Sequence, residues 1–195
     1  MFGYGGNDSI VVSPAVRNTA WLIGGADDDL LMAGGGPSLL MGNDGNDTML
    51  GGLARDLLIG GDGLDSLTSA FGSDILVGGM TRFDSQPAAL NAVFELWSGN
   101  KGPSSNHGFS NGHASHGKSK RRNALTDADI VDDGDKDTIT GRRGSDLIFA
   151  STTGVVDEVV KLRGPKNWDS WHDHDWHWRK VGKRPGSYSL MEYQS

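Results

Sequence analysis

Between residues 24 and 77 an acid recurs on a nine-residue beat: Asp29, Asp47, Asp56, Asp65 and Asp74, with Ser38 filling the one skipped place. Carboxylates brought together at a regular spacing are oxygen donors for a cation. Without one they repel, more strongly the less water surrounds them. Neither a helix of period 3.6 nor a strand of period 2 demands a beat of nine, so the elements that position these acids must themselves repeat every nine residues.

The rest of each block says what those elements are. With block starts at 24, 33, 42, 51, 60 and 69, the aspartates stand sixth and an aliphatic residue stands eighth: Leu31, Leu40, Met49, Leu58, Leu67 and Leu76. Glycine is concentrated in the opening residues of the blocks, where a tight turn needs positive φ or close backbone approach. The spacing predicts a six-residue turn followed by a three-residue strand whose middle side chain points inward. Two blocks complete one coil, and stacked strands would lie ~4.8 Å apart. The eighth-position side chains then form an internal ladder that no single repeat could bury alone.

Alternation of blocks sorts the acids onto two edges. Asp29, Asp47 and Asp65 stack on one; Ala20, Ser38, Asp56 and Asp74 share the other. The beat extends weakly outward. "GYGGNDSIV" (3–11) carries Asp8 sixth but is offset by three residues around Pro14. "DDGDKDTIT" and "GRRGSDLIF" (132–149) carry Asp137 and Asp146 sixth, with Ile139 and Ile148 eighth. If these late blocks resume the coil, 80–131 is an insertion.

These blocks resemble the "GGxGxDxUx" nonapeptide of the RTX (haemolysin-type) family, clearly over 24–79 and more weakly over 3–23 and 132–149, about half the chain. The resemblance implies an all-β fold, a parallel β-roll solenoid whose repeats bind Ca²⁺. It also implies the ligands, the aspartate carboxylates and turn carbonyls of two stacked loops. The candidate metal residues are therefore Asp29, Asp47, Asp65, Asp56 and Asp74; the turn residues Gly42, Gly45, Gly60, Gly63, Asp44 and Asp62; and Asp8, Asp137 and Asp146 in the flanks. Calcium suits such a cage because it accepts six to eight flexible oxygen ligands. The first edge is expected to hold about two ions and the second one, between Asp56 and Asp74, because Ala20 and Ser38 lack a carboxylate. Ala54 in a fourth-position glycine's place, "SAFG" at 69–72 and Pro37 depart from the family pattern and weaken their loops.

Folding is then expected to be coupled to metal binding, with the cation-free repeats disordered. Extracellular calcium modules bind at roughly 10⁻⁴ to 10⁻³ M, too weakly to fill in cytosol, which points to an extracellular or cell-surface location. In the family such modules accompany toxins, proteases, lipases, epimerases and adhesins and assist secretion and folding. The expectation is a non-catalytic module with calcium as cofactor and a larger host polypeptide or cell-surface structure as partner. The rivals are the C-terminal non-catalytic portion of a secreted hydrolase or toxin, and a transition-metal binder acting through the chain's last residues.

Composition bounds the remaining classes. Residues 1–97 carry twelve Asp/Glu against three Lys/Arg, and residues 98–195 carry thirteen against fifteen. An acidic glycine-rich half thus precedes something different. With no cysteine there is neither disulfide nor thiolate metal site. No run approaches the roughly 18 apolar residues of a membrane span. The start, "MFGYGGNDSI", shows no secretory signal, and the repeat already runs at Gly3, as in a piece of a longer protein or one with a misplaced start.

After the repeats, Leu90, Val93, Phe94 and Trp97 recur at helical spacing behind Pro87, predicting a short amphipathic helix that covers outward-facing apolar residues such as Leu30, Met32, Leu57 and Ile59. The chain divides into 1–97, repeats plus capping helix; 98–125, a flexible His/Gly/Ser/basic linker; 126–164, two further repeats; and 165–195, a Trp/His-rich disordered tail. In the linker, "GHASHGKS" (112–119) fits a phosphate-loop formula and "GFSNG" (108–112) a nucleophile elbow, but neither follows an apolar strand. "KSKRR" (118–122) reads as a solvated charge run, and no nucleic acid partner is expected. "GVVDEVVKLRG" (154–164) reads as a closing strand or short helix. His172, His174 and His177 with Asp173 and Asp175 are the tail's candidate transition-metal ligands.

Overall fold

The computed structural model describes residues 1–99, 125–144, 146–151, 155–161, 177–180 and 188–192. The chain shuttles between two parallel sheets. One contains β1 (Phe2–Gly5), β3 (Ala20–Ala26), β5 (Ser38–Asp44), β7 (Leu57–Asp62), β9 (Ile75–Val77) and β13 (Leu147–Ser151). The other contains β2 (Ser9–Val11), β4 (Leu30–Met32), β6 (Thr48–Leu50), β8 (Ser66–Thr68), β12 (Thr138–Gly141) and β14 (Glu158–Lys161). From β1 to β9 each strand pairs with the one two steps away in sequence, as a coil of two strands per turn requires. Leu40 lies beside Leu58 in one sheet and Met49 beside Leu67 in the other. The fold is a parallel β-solenoid, all-β apart from one α-helix among the described residues.

Between the sheets runs the ladder of eighth-position residues. Leu22, Leu31, Leu40, Met49, Leu58, Leu67, Leu76, Ile139 and Ile148 form one buried cluster, with Val12 and Ala150 at its ends. Each such side chain contributes roughly 1.5–3 kcal/mol by leaving water, and only the stack makes that burial possible.

The outer faces differ. The first sheet points Leu39, Met41, Leu57, Ile59, Ile75, Val77, Leu147 and Phe149 outward, and these pack against Leu90, Val93, Phe94 and Trp97 of α1 (Pro87–Ser98). Pro87 opens the helix and Gly99, at φ 74°, ends it in the left-handed conformation. Trp21 meets Phe94 edge-on at 6.5 Å. The second sheet's outward residues include Thr48, Ser66, Thr68, Thr138 and Thr140, and there Leu30 stays 36% exposed. The expected cover over Leu57 and Ile59 is present. No described helix packs on Leu30 and Met32; Leu30 lies between the hydroxyl-bearing Ser9 and Thr48, and Met32 between Val11 and Leu50.

Strand length departs from expectation in one sheet. The strands of the second sheet are three or four residues long, whereas β3, β5 and β7 run for six or seven because turn residues stay in register from coil to coil. Residues 158–161 form a strand, the first of the two readings of 154–164. Strands β12 and β13 stack on β8 and β9, across the 80–131 insertion. In the tail, β15 (His177–Lys180) and β16 (Tyr188–Glu192) form an antiparallel pair on the edge of β13. The patterns at 108–122, and His172, Asp173, His174 and Asp175, lie outside the described residues, as does the side chain of His177.

Candidate metal centre

On one edge of the solenoid six aspartates form a continuous column. The backbone amide of each donates to Oδ1 of the next: Asp8 to Asp29 at 2.7 Å, Asp29 to Asp47 at 2.8 Å, Asp47 to Asp65 at 2.8 Å, Asp65 to Asp137 at 2.9 Å and Asp137 to Asp157 at 3.0 Å. One oxygen of each of the five accepting carboxylates, Asp29 to Asp157, is thus used to lock coil to coil. The second oxygen, Oδ2, is buried and has no hydrogen-bond partner at Asp8, Asp29, Asp47 and Asp65. Buried polar atoms are nearly always satisfied, so a row of orphans in one line points to a ligand.

The first-position glycines shape the space beside those orphans. A Cβ on Gly42 would collide with Asp47 Oδ2 and the Gly60 carbonyl; one on Gly60 would collide with Asp65 Oδ2 and the Gly78 carbonyl. Any side chain there would fill the cradle with carbon. Burial pushes Asp47 up to about 6, Asp137 to about 7 and Asp65 to about 8, with like charges on neighbouring turns adding to the shift and backbone amides opposing it. Burial also raises Asp29 and Asp157.

The opposite edge repeats the amide ladder with a different outcome. Ser38 donates to Asp56 at 2.7 Å, Asp56 to Asp74 at 2.9 Å and Asp74 to Asp146 at 3.0 Å. Here the second oxygens find protein donors: Gly52 N–H to Asp56 at 2.5 Å, and the Ser69 hydroxyl to Asp146 at 2.8 Å. Only Asp74 keeps a buried Oδ2 without a partner on this edge. Burial, then the charges of Asp56 and Asp146, push it up to about 9, while Arg55 opposes the rise. Burial carries Asp56 to about 7.

The donor set fits a hard cation. Among the described residues no three His, Cys, Asp or Glu side chains converge on one point, so a cage on these loops must combine single carboxylate oxygens with backbone carbonyls. All-oxygen sets of that kind suit calcium better than zinc or copper. Asp44 and Asp62, in register at the ends of β5 and β7, are exposed and stand apart from the buried column. Gly45 and Gly63, both at positive φ, bend the loops above them. Sequence reasoning missed Asp157. The block "TTGVVDEVV" (152–160) holds it sixth and Val159 eighth, but two residues out of phase, an offset like that accepted at the N-terminus.

The model of the RTX calcium-binding nonapeptide repeat family matches residues 23–58, 50–80 and 127–152. Over these residues the chain carries RTX calcium-binding nonapeptide repeats. Comparison with curated proteins and with solved structures finds no match. RTX nonapeptide repeats bind Ca²⁺, and in this chain the column of orphaned carboxylate oxygens is where the fold has oxygen donors to offer. When bound, the ion supplies the positive charge that stacked buried carboxylates lack. No described helix is long and apolar enough to cross a membrane.

Proposed function

We propose that this chain is an extracellular, non-catalytic RTX module whose folding is triggered by Ca²⁺, with a structural role in secretion or adhesion for a larger host polypeptide or at a cell surface. The observation that carries the reading is the unbroken Asp8-to-Asp157 column with its four orphaned Oδ2 atoms. Stacked carboxylates in a dry edge oppose folding at neutral pH unless a cation joins them, so binding free energy becomes folding free energy. Calcium modules outside cells work at roughly 10⁻⁴ to 10⁻³ M, a range met outside cells and not in cytosol. The loop residues proposed to hold calcium are Asp29, Asp47 and Asp65 with the carbonyls facing Gly42 and Gly60, and Asp74 on the opposite edge. Circular dichroism of the calcium-free chain should show β structure appearing on addition of millimolar Ca²⁺. An unchanged spectrum, with no heat of binding by calorimetry, would sink the reading.

A further inference from the structure

The 80–131 insertion does not sit between two turns of the roll. It opens inside one of the loops of the aspartate column. In the loops at 24–29, 42–47 and 60–65, a first-position glycine and its sixth-position aspartate are near neighbours in sequence; here the same roles fall to Gly78 and Asp137. A Cβ on Gly78 would run into Asp137 Oδ2, as one on Gly60 would run into Asp65 Oδ2. The chain leaves through β10 (Met80–Thr81) and returns through β11 (Ile130–Val131), which pair antiparallel. Arg82 and Asp129 bridge the two strands at 2.6 Å.

The preceding loop holds on to both sides of this break. Gly61 N–H donates to the Gly78 carbonyl at 3.2 Å, upstream of the insertion. Gly63 N–H donates to Asp133 Oδ2 at 3.0 Å and Asp65 N–H to Asp137 Oδ1 at 2.9 Å, both downstream. At the centre lies Asp65, 2% exposed, with its Oδ2 unpartnered. The Gly78 carbonyl lines the same cradle.

Resting on the calcium reading above, we infer that the Asp65 loop, closed by Gly78 before the insertion and by Asp133 and Asp137 after it, is a composite cation site that clasps the base of the insertion. Its filling thereby governs whether α1 stays docked on the first sheet. The sites at Asp29 and Asp47 are built from continuous loops and lack this role. The mechanical link is short: Thr81 and Ile130 are paired at the base, and Ile130 and Leu125 belong to the same apolar cluster as Leu90, Val93, Phe94 and Trp97.

The test is amide hydrogen exchange on the full chain in saturating Ca²⁺, comparing Asp65→Asn, Asp133→Ala and Asp29→Asn with the parent. Weakening the cation's hold on the two sides of the break should speed exchange across α1 by about tenfold or more in Asp65→Asn. Asp133→Ala, which leaves the whole column in place, should do the same to a lesser degree while β5 stays protected. Asp29→Asn should leave α1 as in the parent. If Asp65→Asn loosens the entire roll, Asp133→Ala decides alone. Exchange in α1 equal to the parent's in Asp133→Ala, or in both variants, overturns the clasp even where calorimetry shows calcium bound. A parent that takes up no calcium overturns the underlying reading instead.

Discussion

On one edge of the roll the second carboxylate oxygen of Asp8, Asp29, Asp47 and Asp65 meets no protein donor; on the other, Asp56 gives its second oxygen to the Gly52 amide and Asp146 to the Ser69 hydroxyl. Both edges are made from the same nonapeptide and share the same amide-to-carboxylate ladder. The difference lies in the loops. Along the first edge the backbone takes positive φ at the second and fourth loop positions, as at Gly25, Asp27, Asn43, Gly45, Gly61 and Gly63. Along the second edge Gly72 and Gly144 keep it at the fourth position, but Ala54 does not adopt it. The loop at 51–56 settles differently and turns its Gly52 amide onto its own aspartate. A repeat can thus keep its aspartate while closing the opening beside it with protein hydrogen bonds.

Breaking the first edge at its middle should do most damage. Asp47 serves the loops on both sides of it, so Asp47→Ala is expected to remove two binding events in calorimetry and to raise the calcium midpoint of folding by about tenfold or more. Proton competition comes next. These carboxyls have folded-state values of about 6 to 9, above the ordinary 3.8. The fold therefore favours their protonated forms. Their contribution to the calcium-free fold is complete below pH 3.8 and disappears as pH climbs through 6 to 9, the reverse of the usual carboxylate behaviour. Acidifying the calcium-free chain from pH 9 to pH 5 should induce β structure by circular dichroism. Over the same interval calcium affinity should fall, by about tenfold per pH unit for each proton displaced.

Two smaller effects sharpen the contrast from the second edge. Asp56→Ala leaves the Gly52 and Ser38 amides without an acceptor, a loss of about 1–3 kcal/mol. Because Asp56's second oxygen is already taken, denaturant melts should show that loss to a similar degree at low and saturating calcium. Asp74→Ala should have the least effect, removing at most one calorimetric site and leaving those of the first edge at parental affinity. If Asp56→Ala and Asp47→Ala alter calcium stoichiometry alike, the two edges are equivalent and the comparison fails.

Much of this was written in the sequence because it is periodic. The sixth-position beat put Asp29, Asp47 and Asp65 on one edge and Asp56 and Asp74 on the other, and the eighth-position beat named the ladder from Leu31 to Leu76. Helical spacing likewise picked the four residues by which α1 docks. What stayed hidden depends on contacts rather than on the beat. The pairing of Gly78 with Asp137 spans the whole insertion and has no local signature. Whether a carboxylate oxygen is orphaned or bound depends on which donor the fold brings beside it, the Gly52 amide at Asp56 and the Ser69 hydroxyl at Asp146. Asp157 escaped because two extra residues shift its block out of phase.

The rungs of the aspartate column also set an order in which the roll can assemble. Asp47 reaches Asp65 across a separation of 18 residues, as Asp29 reaches Asp47, but Asp65 reaches Asp137 across 72. Closing a loop four times as long costs about 1.2 kcal/mol more in chain entropy. Coils on the N-terminal side of the break can zip one onto the next at a uniform small cost, and the largest chain-entropy cost along the column falls where β12 must find β8.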